Sequence, residues 1–359
     1  MPRPISAVIS LPSLQHNLSV VRQHTGKSKI WSVMKADGYG HGIKHIWSAL
    51  KQTDGFAVLD FHEAILLRNE GWKGPILLLE GFFQPQDLLL IDQYNLTTSV
   101  HSNWQLDAID NASLSSPISV YIKLNSGMNR LGFSQQEYVN VVQRLSQMPN
   151  VRHLTLMSHF ANSDTKTGVA APLQLIKQFQ HLSLETCIAN SGATLWHQHT
   201  HYDWVRTGIL LYGASPSGKS ADIAGLNLKA AMTLQSEVIG IHEIDAGQSI
   251  GYGSRFTATK PMRIATVACG YADGYPRHAP NGTPVWCKGE RCSLLGAVSM
   301  DMLTIDISHC HNVQLGERVE LWGRNLPVDD VAQAAGTIGY ELMCALAKRV
   351  PVFYENKVE

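Results

Sequence analysis

A lysine at the end of an apolar run, followed at once by a glycine-rich segment, is the first group in this sequence that could carry chemistry. Lys35 closes the run formed by residues 31–34, and the segment that follows has glycines at positions 38, 40 and 42. A deprotonated lysine amine forms a Schiff base with an aldehyde, and nearby glycines let the backbone approach a phosphate closely. The pattern predicts a site for a phosphorylated carbonyl cofactor, although a lysine at a strand end can also simply extend into water.

Other polar residues fall at the ends of predicted strands. Between residues 29 and 205, eight short β-branched or aliphatic runs alternate with helical patterns, which predicts an α/β fold of the (β/α)8 TIM-barrel type. In such a barrel the active site forms at the C-terminal ends of the strands. The polar residues at these ends are Lys35, Lys123, His159, Asn190, Ser191 and Arg206. Their shared position predicts one functional site at the mouth of the barrel.

The pattern changes after the turn-rich residues 215–219. From about Leu228, strand patterns are separated by Gly, Pro and Asn, which is typical of a mainly β domain. We therefore predict an N-terminal TIM barrel over residues 1–227 and a mainly β C-terminal domain over residues 228–359. The strand-like residues 4–9 precede the first helix and could pair with the later sheet.

Composition limits the classes of partner. The 359 residues are 44% hydrophobic, enough for one large core and a smaller domain. Lys+Arg and Asp+Glu both number 29, so the formal net charge is zero and a nucleic-acid partner is not expected. No run approaches the roughly 18 apolar residues of a membrane helix, and the N-terminus lacks the apolar core of a secretory signal. We expect a cytoplasmic protein that acts on a small neutral or zwitterionic molecule.

Cysteine usage indicates reduced thiols. The six cysteines are scattered without C-x-x-C pairs, so we expect no disulfides. Residues 309–311, with Cys287 and Cys292 upstream, could be interpreted as a metal site, but the spacing matches no zinc module. The sequence therefore predicts no bound metal.

Motifs along the whole chain resemble those of the alanine racemase family, which uses pyridoxal 5'-phosphate (PLP). The barrel motifs are MKADGYGHG (34–42), LNSGMNRLGF (124–133), SHFANSD (158–164), NSGATL (190–195) and RTGILLYG (206–213). The later domain adds GYGSRF, CGYADGYPR, VSMDM and IGYE. The resemblance implies a homodimeric PLP enzyme with shared active sites that interconverts L-alanine and D-alanine, for peptidoglycan synthesis or for alanine catabolism.

The resemblance also implies two catalytic bases. Racemisation removes the α-proton and returns it on the opposite face, so one base must stand on each face. Lys35 would hold PLP and act as one base, and Tyr252 from the partner subunit would act as the other. A tyrosine hydroxyl needs nearby cations or a concerted transfer to act as a base at neutral pH. The alternative for Tyr252 is a loop tyrosine that packs on its own sheet.

Arg206 would distinguish racemisation from other PLP chemistry. Many PLP enzymes place a carboxylate at the pyridine nitrogen, whereas the resemblance places Arg206 there. A guanidinium keeps its proton, so the ring nitrogen would stay neutral and the ring would be a weaker electron sink. This favours return of the proton to the α-carbon over transamination. His159 would hydrogen-bond Arg206 and orient it, the alternative being a core histidine with its polar atoms satisfied.

The remaining contacts follow from the same resemblance. A phosphate site after strands seven and eight agrees with the general location of barrel phosphate sites. Arg130 would also hold the substrate carboxylate, completed by Met300 and Asp301 of the partner, with Tyr271 at the entrance. The residues assigned to PLP are Lys35, Tyr39, Arg130, His159, Asn190, Ser191, Arg206, Gly208, Ile209 and Tyr340.

Lys123 raises the question of a modification. In many family members the matching lysine is carbamylated by carbon dioxide to N6-carboxylysine, which turns a cation beside Arg130 into an anion. Asn125 stands where the family often has an aspartate, and Asn129 where a glycine or histidine is frequent. The chain therefore departs from the family pattern at two positions that affect the charge balance around Lys123.

Three other functions fit parts of the pattern. A PLP-dependent decarboxylase can share the architecture, but Arg206 argues against the acidic contact that such an enzyme needs. A racemase of broader specificity would differ only in a few side chains near Tyr271 and Met300. A PLP carrier has a related single barrel, whereas this chain adds a β domain that contains Tyr252.

Overall fold

The computed structural model of the protein describes residues 3–356. The chain forms two compact units. Residues 18–38 and 42–211 form the first, the barrel unit, and the remaining described residues form the second, the β unit. The main segment of the β unit begins at Tyr212, ahead of the predicted boundary after residue 227.

Eight parallel strands close into a barrel, as the sequence predicts. Strand β1 (Ser6–Ser10) belongs to the β unit, so the barrel begins with the second strand of the chain. Its strands follow one another around the barrel in chain order, and the last pairs with the first. They are β2 (Lys29–Val33), β3 (Gly55–Val58), β4 (Ile76–Leu78), β5 (Thr97–Val100), β6 (Ile118–Lys123), β7 (Val151–Met157), β8 (Glu185–Ala189) and β9 (Trp204–Thr207).

Helical segments connect the strands, most of them where the apolar spacing of three and four predicts helix. Helix α7 shows why: Ser134 and Glu137 form a capping box at its start, and its buried residues recur on one face. The segments are α1 (Leu11–Thr25), the turn α2 (Lys35–Tyr39), α3 (Ile43–Ile46), α4 (Phe61–Asn69), α5 (Asp87–Gln93), α6 (Asn103–Asp110), α7 (Gln135–Ser146), α8 (Ala170–Lys177) and α9 (Ser191–Trp196).

Aromatic packing fixes the register at the first barrel strand. The Trp31 ring stacks on Trp204 with a centroid separation of 4.4 Å, and its Nε1 donates to the Tyr121 hydroxyl at 3.1 Å. Gly55 is the register partner of Trp31 on β3, and a Cβ at that position would collide with the indole. A glycine at 55 therefore leaves the space that the tryptophan fills.

The β unit is built on one eight-stranded sheet. The order of strands is β13-β16-β15-β14-β17-β10-β1-β18, and β11 and β12 form a separate pair. The bounds are β10 (Met232–Ile244), β11 (Ser249–Ile250), β12 (Phe256–Thr257), β13 (Met262–Val267), β14 (Pro284–Cys287), β15 (Glu290–Leu295), β16 (Leu303–Asp306), β17 (Arg318–Trp322) and β18 (Val352–Glu355), with helices α10 (Val328–Ala335) and α11 (Gly339–Cys344). Strand β1 pairs antiparallel with β10 and parallel with β18, so the predicted pairing of the N-terminal strand is confirmed.

One predicted strand run is divided in the structure. Residues 291–307 form β15 and β16, and the connection between them, residues 296–302, carries the predicted substrate-binding residue Met300. Within residues 3–356, no helix has the length and apolar character needed to cross a membrane.

Candidate active site

Lys35 opens a left-handed helical turn. Residues 36–39 have φ values of 56°, 54°, 64° and 54°, and the amide of Gly38 donates to the carbonyl of Met34 at 2.8 Å. A residue other than glycine in this conformation costs roughly 1–2 kcal/mol, so three of them in one turn must be held by their surroundings. Backbone strain of this kind is concentrated at functional sites.

Two carboxylates hold the turn. Glu63 accepts hydrogen bonds from the amides of Asp37 at 2.9 Å and Leu59 at 3.2 Å, and Asp37 accepts one from the amide of Ile43 at 2.8 Å. Burial raises the pKa of Glu63, and the two amide donors oppose that shift. Glu63 therefore fixes the backbone direction of the segment that carries Lys35.

Arg206 is buried at the end of β9 among neutral acceptors. Its Nη1 donates to the carbonyl of Cys187 at 2.7 Å, and its Nη2 donates to the carbonyl of Ser158 at 2.6 Å. The same Nη2 lies 3.2 Å from Nδ1 of His159. Across the described residues no carboxylate forms an ion pair with Arg206, although only 4% of the residue is exposed. The guanidinium is thus oriented on several sides without a neutralising partner.

His159 is an acceptor for this guanidinium. Burial first, and then the charges of Arg206 and Arg130, lower the pKa of His159 well below its ordinary value. The imidazole is therefore neutral at neutral pH, and an unprotonated Nδ1 can accept the proton that Arg206 donates. The contact links the ends of β7 and β9.

Lys123 at the end of β6 lies in a cationic environment. Burial, followed by the charges of Arg206 and Arg130, lowers its pKa to about 8. Lys35 adds to this effect and Glu80 opposes it. Several cations with one carboxylate nearby favour an anionic occupant. The mouth of the barrel therefore fits a phosphorylated, anionic cofactor such as PLP.

The loop that carries Arg130 is held by Asn125. The Asn125 side-chain oxygen accepts from the amides of Gly127 and Asn129, both at 3.1 Å, and its Nδ2 donates to Oδ1 of Asn129 at 3.0 Å. Asn129 is left-handed, with φ of 56°. Asn125 therefore shapes the loop through an acceptor oxygen that an aspartate would equally provide, while Arg130 itself is exposed.

Ser191 and Gly208 lie together, whereas Asn190 has a different role. The amide of Gly208 donates to Oγ of the buried Ser191 at 3.0 Å. Asn190 caps helix α9 by accepting from the amide of Ala193 at 3.1 Å, and it also accepts from Oγ of Ser163 at 2.7 Å. The side-chain oxygen of Asn190 thus already accepts two hydrogen bonds within the barrel unit. The assignment of Asn190 to PLP binding stays a prediction.

Tyr39 and Tyr340 approach one another within the β unit. Their ring centroids are 5.9 Å apart, and Tyr39 also stacks on Tyr212 at 4.7 Å. Burial raises the pKa of Tyr39 far above its ordinary value, so its hydroxyl keeps its proton and can act as a hydrogen-bond donor.

Tyr252 stands on a turn between β11 and β12. The flanking Gly251 and Gly253 have φ values of 69° and 70°, a conformation that glycine adopts at little cost. The tyrosine is 76% exposed, and among the described residues its hydroxyl has no hydrogen-bond partner. The alternative of a loop tyrosine packed on its own sheet does not match this exposure.

Tyr271, Met300 and Asp301 form one cluster. The amides of Tyr271 and Ala272 donate to the carbonyls of Ser299 and Met300, both at 3.0 Å, which joins the two loops. Arg349 then ties the cluster together, because its guanidinium donates to the Asp301 carboxylate at 2.6 Å and to the Asp273 carboxylate at 2.7 Å.

Sequence reasoning missed three carboxylates around the candidate site residues: Glu80, whose charge acts on Lys123, and Glu63 and Asp273, which accept hydrogen bonds from backbone amides. Glu80 follows β4 by two residues, so the strand-end rule used for the other site residues could have found it. Glu63 and Asp273 gave no comparable sequence signal. Glu63 accepts from the amide of Asp37 in a distant segment, and Asp273 accepts from the loop amide of Gly270.

Comparison with known proteins identifies the family. The family description "Alanine racemase, N-terminal domain" matches residues 9–216, and "Alanine racemase, C-terminal domain" matches residues 231–354. The chain is 57% identical to an alanine racemase of Erwinia tasmaniensis, over 98% of this chain and 99% of that protein.

Solved structures agree. The biosynthetic alanine racemase of Pseudomonas aeruginosa superposes with a TM-score of 0.95 at 41% identity, over 99% of this chain and 100% of that one. The Bartonella henselae alanine racemase, solved with covalently bound pyridoxal phosphate, gives a TM-score of 0.88 at 27% identity, over 99% and 100%. The chain belongs to the alanine racemase family.

Proposed function

We propose that this chain is a PLP-dependent alanine racemase that interconverts L-alanine and D-alanine. The observation that carries the proposal is Arg206, a buried guanidinium held by carbonyls and by the neutral His159 without a carboxylate partner in the described chain. PLP, when bound, supplies a conjugated ring that stabilises negative charge at the α-carbon. Arg206 beside the ring nitrogen would limit that delocalisation, which favours return of the proton to the same carbon.

Two side chains move the proton. Lys35 would hold PLP and, with its amine free, would take or return the α-proton on one face, and Tyr252 of the partner subunit would do so on the other. The exposed position of Tyr252, on a turn with glycines on both sides, supports a role outside its own unit. A homodimer with shared active sites follows from this assignment.

Other residues bind the ends of cofactor and substrate. Ser191, Gly208 and Ile209 bind the phosphate from the barrel, and Tyr39 and Tyr340 add hydroxyl donors. Asn190 positions Ser191 by capping the helix on which it lies.

The substrate side has its own set of residues. Arg130 holds the phenolic oxygen of PLP and the substrate carboxylate. Met300 and Asp301 complete the carboxylate site, and Tyr271 narrows the entrance. The hydrogen bonds between the Tyr271 and Met300 loops support their acting as one unit.

Lys123 is carbamylated in the active enzyme. Carbon dioxide adds to a neutral amine, and a pKa of about 8 gives Lys123 a substantial neutral fraction near neutral pH. The carbamic acid formed loses its proton to solvent, and the resulting anion pairs with Arg130 and relieves the repulsion among the cations.

Exchange of the α-proton distinguishes the proposal from its alternatives. PLP-loaded protein is incubated with L-alanine in deuterated buffer, and the enantiomers are separated and analysed for deuterium at the α-carbon. The proposal predicts D-alanine that carries deuterium. A PLP carrier would leave the α-proton in place, a decarboxylase would release carbon dioxide, and a broader racemase would act equally on larger amino acids.

A further inference from the structure

A cluster of sulfur and imidazole ligands lies in the β unit, in a region that the proposed reaction does not use. The Sγ atoms of Cys292 and Cys310 are 3.2 Å apart, and a ring nitrogen of His309 lies within 4.8 Å of both. The buried Cys287 lies on the adjacent strand β14, next to these three residues, whose ligand atoms all lie within 4.8 Å of one another. All of the cysteines in this group are free thiols.

Strand pairing creates the cluster. In the hairpin of β14 and β15, Val285 is the partner of Cys292 and Cys287 is the partner of Glu290, so both cysteines project from the same face. After β16 the chain turns, with the amide of Cys310 donating to the carbonyl of Ile307 at 3.0 Å. This turn returns residues 309 and 310 to the hairpin.

The surroundings suit a metal better than isolated thiols. The three cysteines are at most 4% exposed, whereas His309 is exposed to solvent. The Nε2 of His309 lies 3.2 Å from the carbonyl oxygen of Arg291. Donation to that carbonyl leaves Nδ1 as the ring nitrogen for a metal, which is the usual arrangement of a metal-bound histidine.

We propose that Cys287, Cys292, Cys310 and His309 bind one Zn²⁺ ion as a closed structural site. Three thiolates and one neutral imidazole form a Cys3His set, which zinc prefers in tetrahedral geometry. Zn–S bonds of about 2.3 Å place two sulfurs roughly 3.8 Å apart, so Cys292 and Cys310 need to separate by only about half an ångström. Binding releases the three thiol protons to solvent, and no redox change takes place.

The spacing of these ligands along the chain does not indicate a zinc site. Cys287 and Cys292 are separated by a hairpin turn, whereas His309 and Cys310 come from beyond the next strand. Zinc modules recognised by spacing draw their ligands from short loops, so only the pairing of β15 with β16 shows that these residues meet.

Metal analysis of the purified holoenzyme tests the proposal directly. The protein is incubated with a slight excess of Zn²⁺, and the unbound ion is removed. We then expect about one zinc per chain by inductively coupled plasma mass spectrometry. Cys292→Ser should lose it, whereas Cys344→Ser, which alters an exposed cysteine outside the cluster, should keep it. Loss of zinc in both variants, or retention in both, would overturn the assignment.

Two measurements on the unsubstituted protein test the proposal even if a variant fails to fold. Replacement of zinc by Co²⁺ should give thiolate-to-cobalt charge-transfer bands and the visible bands of a tetrahedral site. Removal of the metal by a chelator should make three further cysteines reactive towards a thiol reagent and should lower the melting temperature. Absence of the cobalt bands, or a disulfide between Cys292 and Cys310 in the non-reduced protein, would contradict the proposal.

Discussion

Nη2 of Arg206 lies 3.2 Å from Nδ1 of His159, and the imidazole is the acceptor in this pair. Burial and the neighbouring cations lower the pKa of His159, so the ring stays neutral and its orientation towards Arg206 is fixed by the proton that it accepts. His159 is therefore a positioning residue that acts through Arg206.

Replacement of His159 should reduce activity by releasing Arg206. For His159→Leu we expect kcat/KM for alanine to fall roughly ten- to a hundredfold, since a hydrogen bond to a charged group contributes about 1.5–3 kcal/mol. His159→Asn offers another acceptor and should recover part of the loss. His201→Leu is the matched control, because His201 is also buried and contacts the carbonyl of Thr194. Equal losses at both histidines would show a general packing defect instead.

Carbamylation of Lys123 should depend on pH in a defined direction. With a pKa of about 8, the amine is about one-tenth neutral at pH 7 and about nine-tenths neutral at pH 9. Uptake of ¹³C-labelled bicarbonate, followed by NMR, should therefore rise steeply over this range, and Lys123→Met should abolish the signal. Intact mass of gently handled protein that shows only the free amine would refute the modification.

The strands could be predicted from local sequence patterns, whereas the backbone conformation of the turn that follows Lys35 could not. The eight barrel runs and the main strands of the β unit are confirmed because each is a short, apolar, β-branched segment between clear breaks. The left-handed turn after Lys35 could not be predicted, since Ala36 and Asp37 adopt it only through contacts with Glu63 and the chain beyond. The same limit applies to the zinc ligands, which depend on the pairing of strands.

The left-handed turn at Lys35 can be tested with two glycines of similar conformation. Gly38 has φ of 64° and a Cβ there would lie 2.6 Å from Cδ1 of Ile46, whereas Gly26 has φ of 58° and open space around it. Gly26→Ala should lower the free energy of unfolding by about 1 kcal/mol, which is the cost of the conformation alone. Gly38→Ala should cost more and should also weaken PLP binding, measured by absorbance titration. Identical effects of the two substitutions would show that the close contact between residue 38 and Ile46 does not matter for stability or PLP binding.

Asp329 should make stability depend on pH. The amide of Ser215 donates to its Oδ2 at 2.8 Å, while its buried Oδ1 has no partner among the described residues. Burial, aided by Asp330, raises the pKa of Asp329 to about 6, against roughly 4 in an unfolded chain. The native state therefore binds more protons than the unfolded state between these values, so the stability from this group is complete below about pH 4 and is lost as the pH rises through about 6.

Comparison with Asp329→Asn isolates this contribution. The asparagine keeps an acceptor for Ser215 but does not ionise. Between pH 4 and pH 7, the free energy of unfolding of the unchanged protein should fall by roughly 2–3 kcal/mol relative to the variant, measured by urea denaturation. Parallel pH curves for the two proteins would show that Asp329 does not titrate in this range.

Mixing two inactive variants tests the two-base assignment most directly. Lys35→Ala and Tyr252→Phe are each purified, mixed, and incubated so that the proposed dimers can exchange subunits, with heterodimers counted by native mass spectrometry. If each active site combines Lys35 of one subunit with Tyr252 of the other, a heterodimer has one intact site, and random exchange should restore about a quarter of the original racemase activity. Heterodimers that form without any recovery of activity would contradict the shared site.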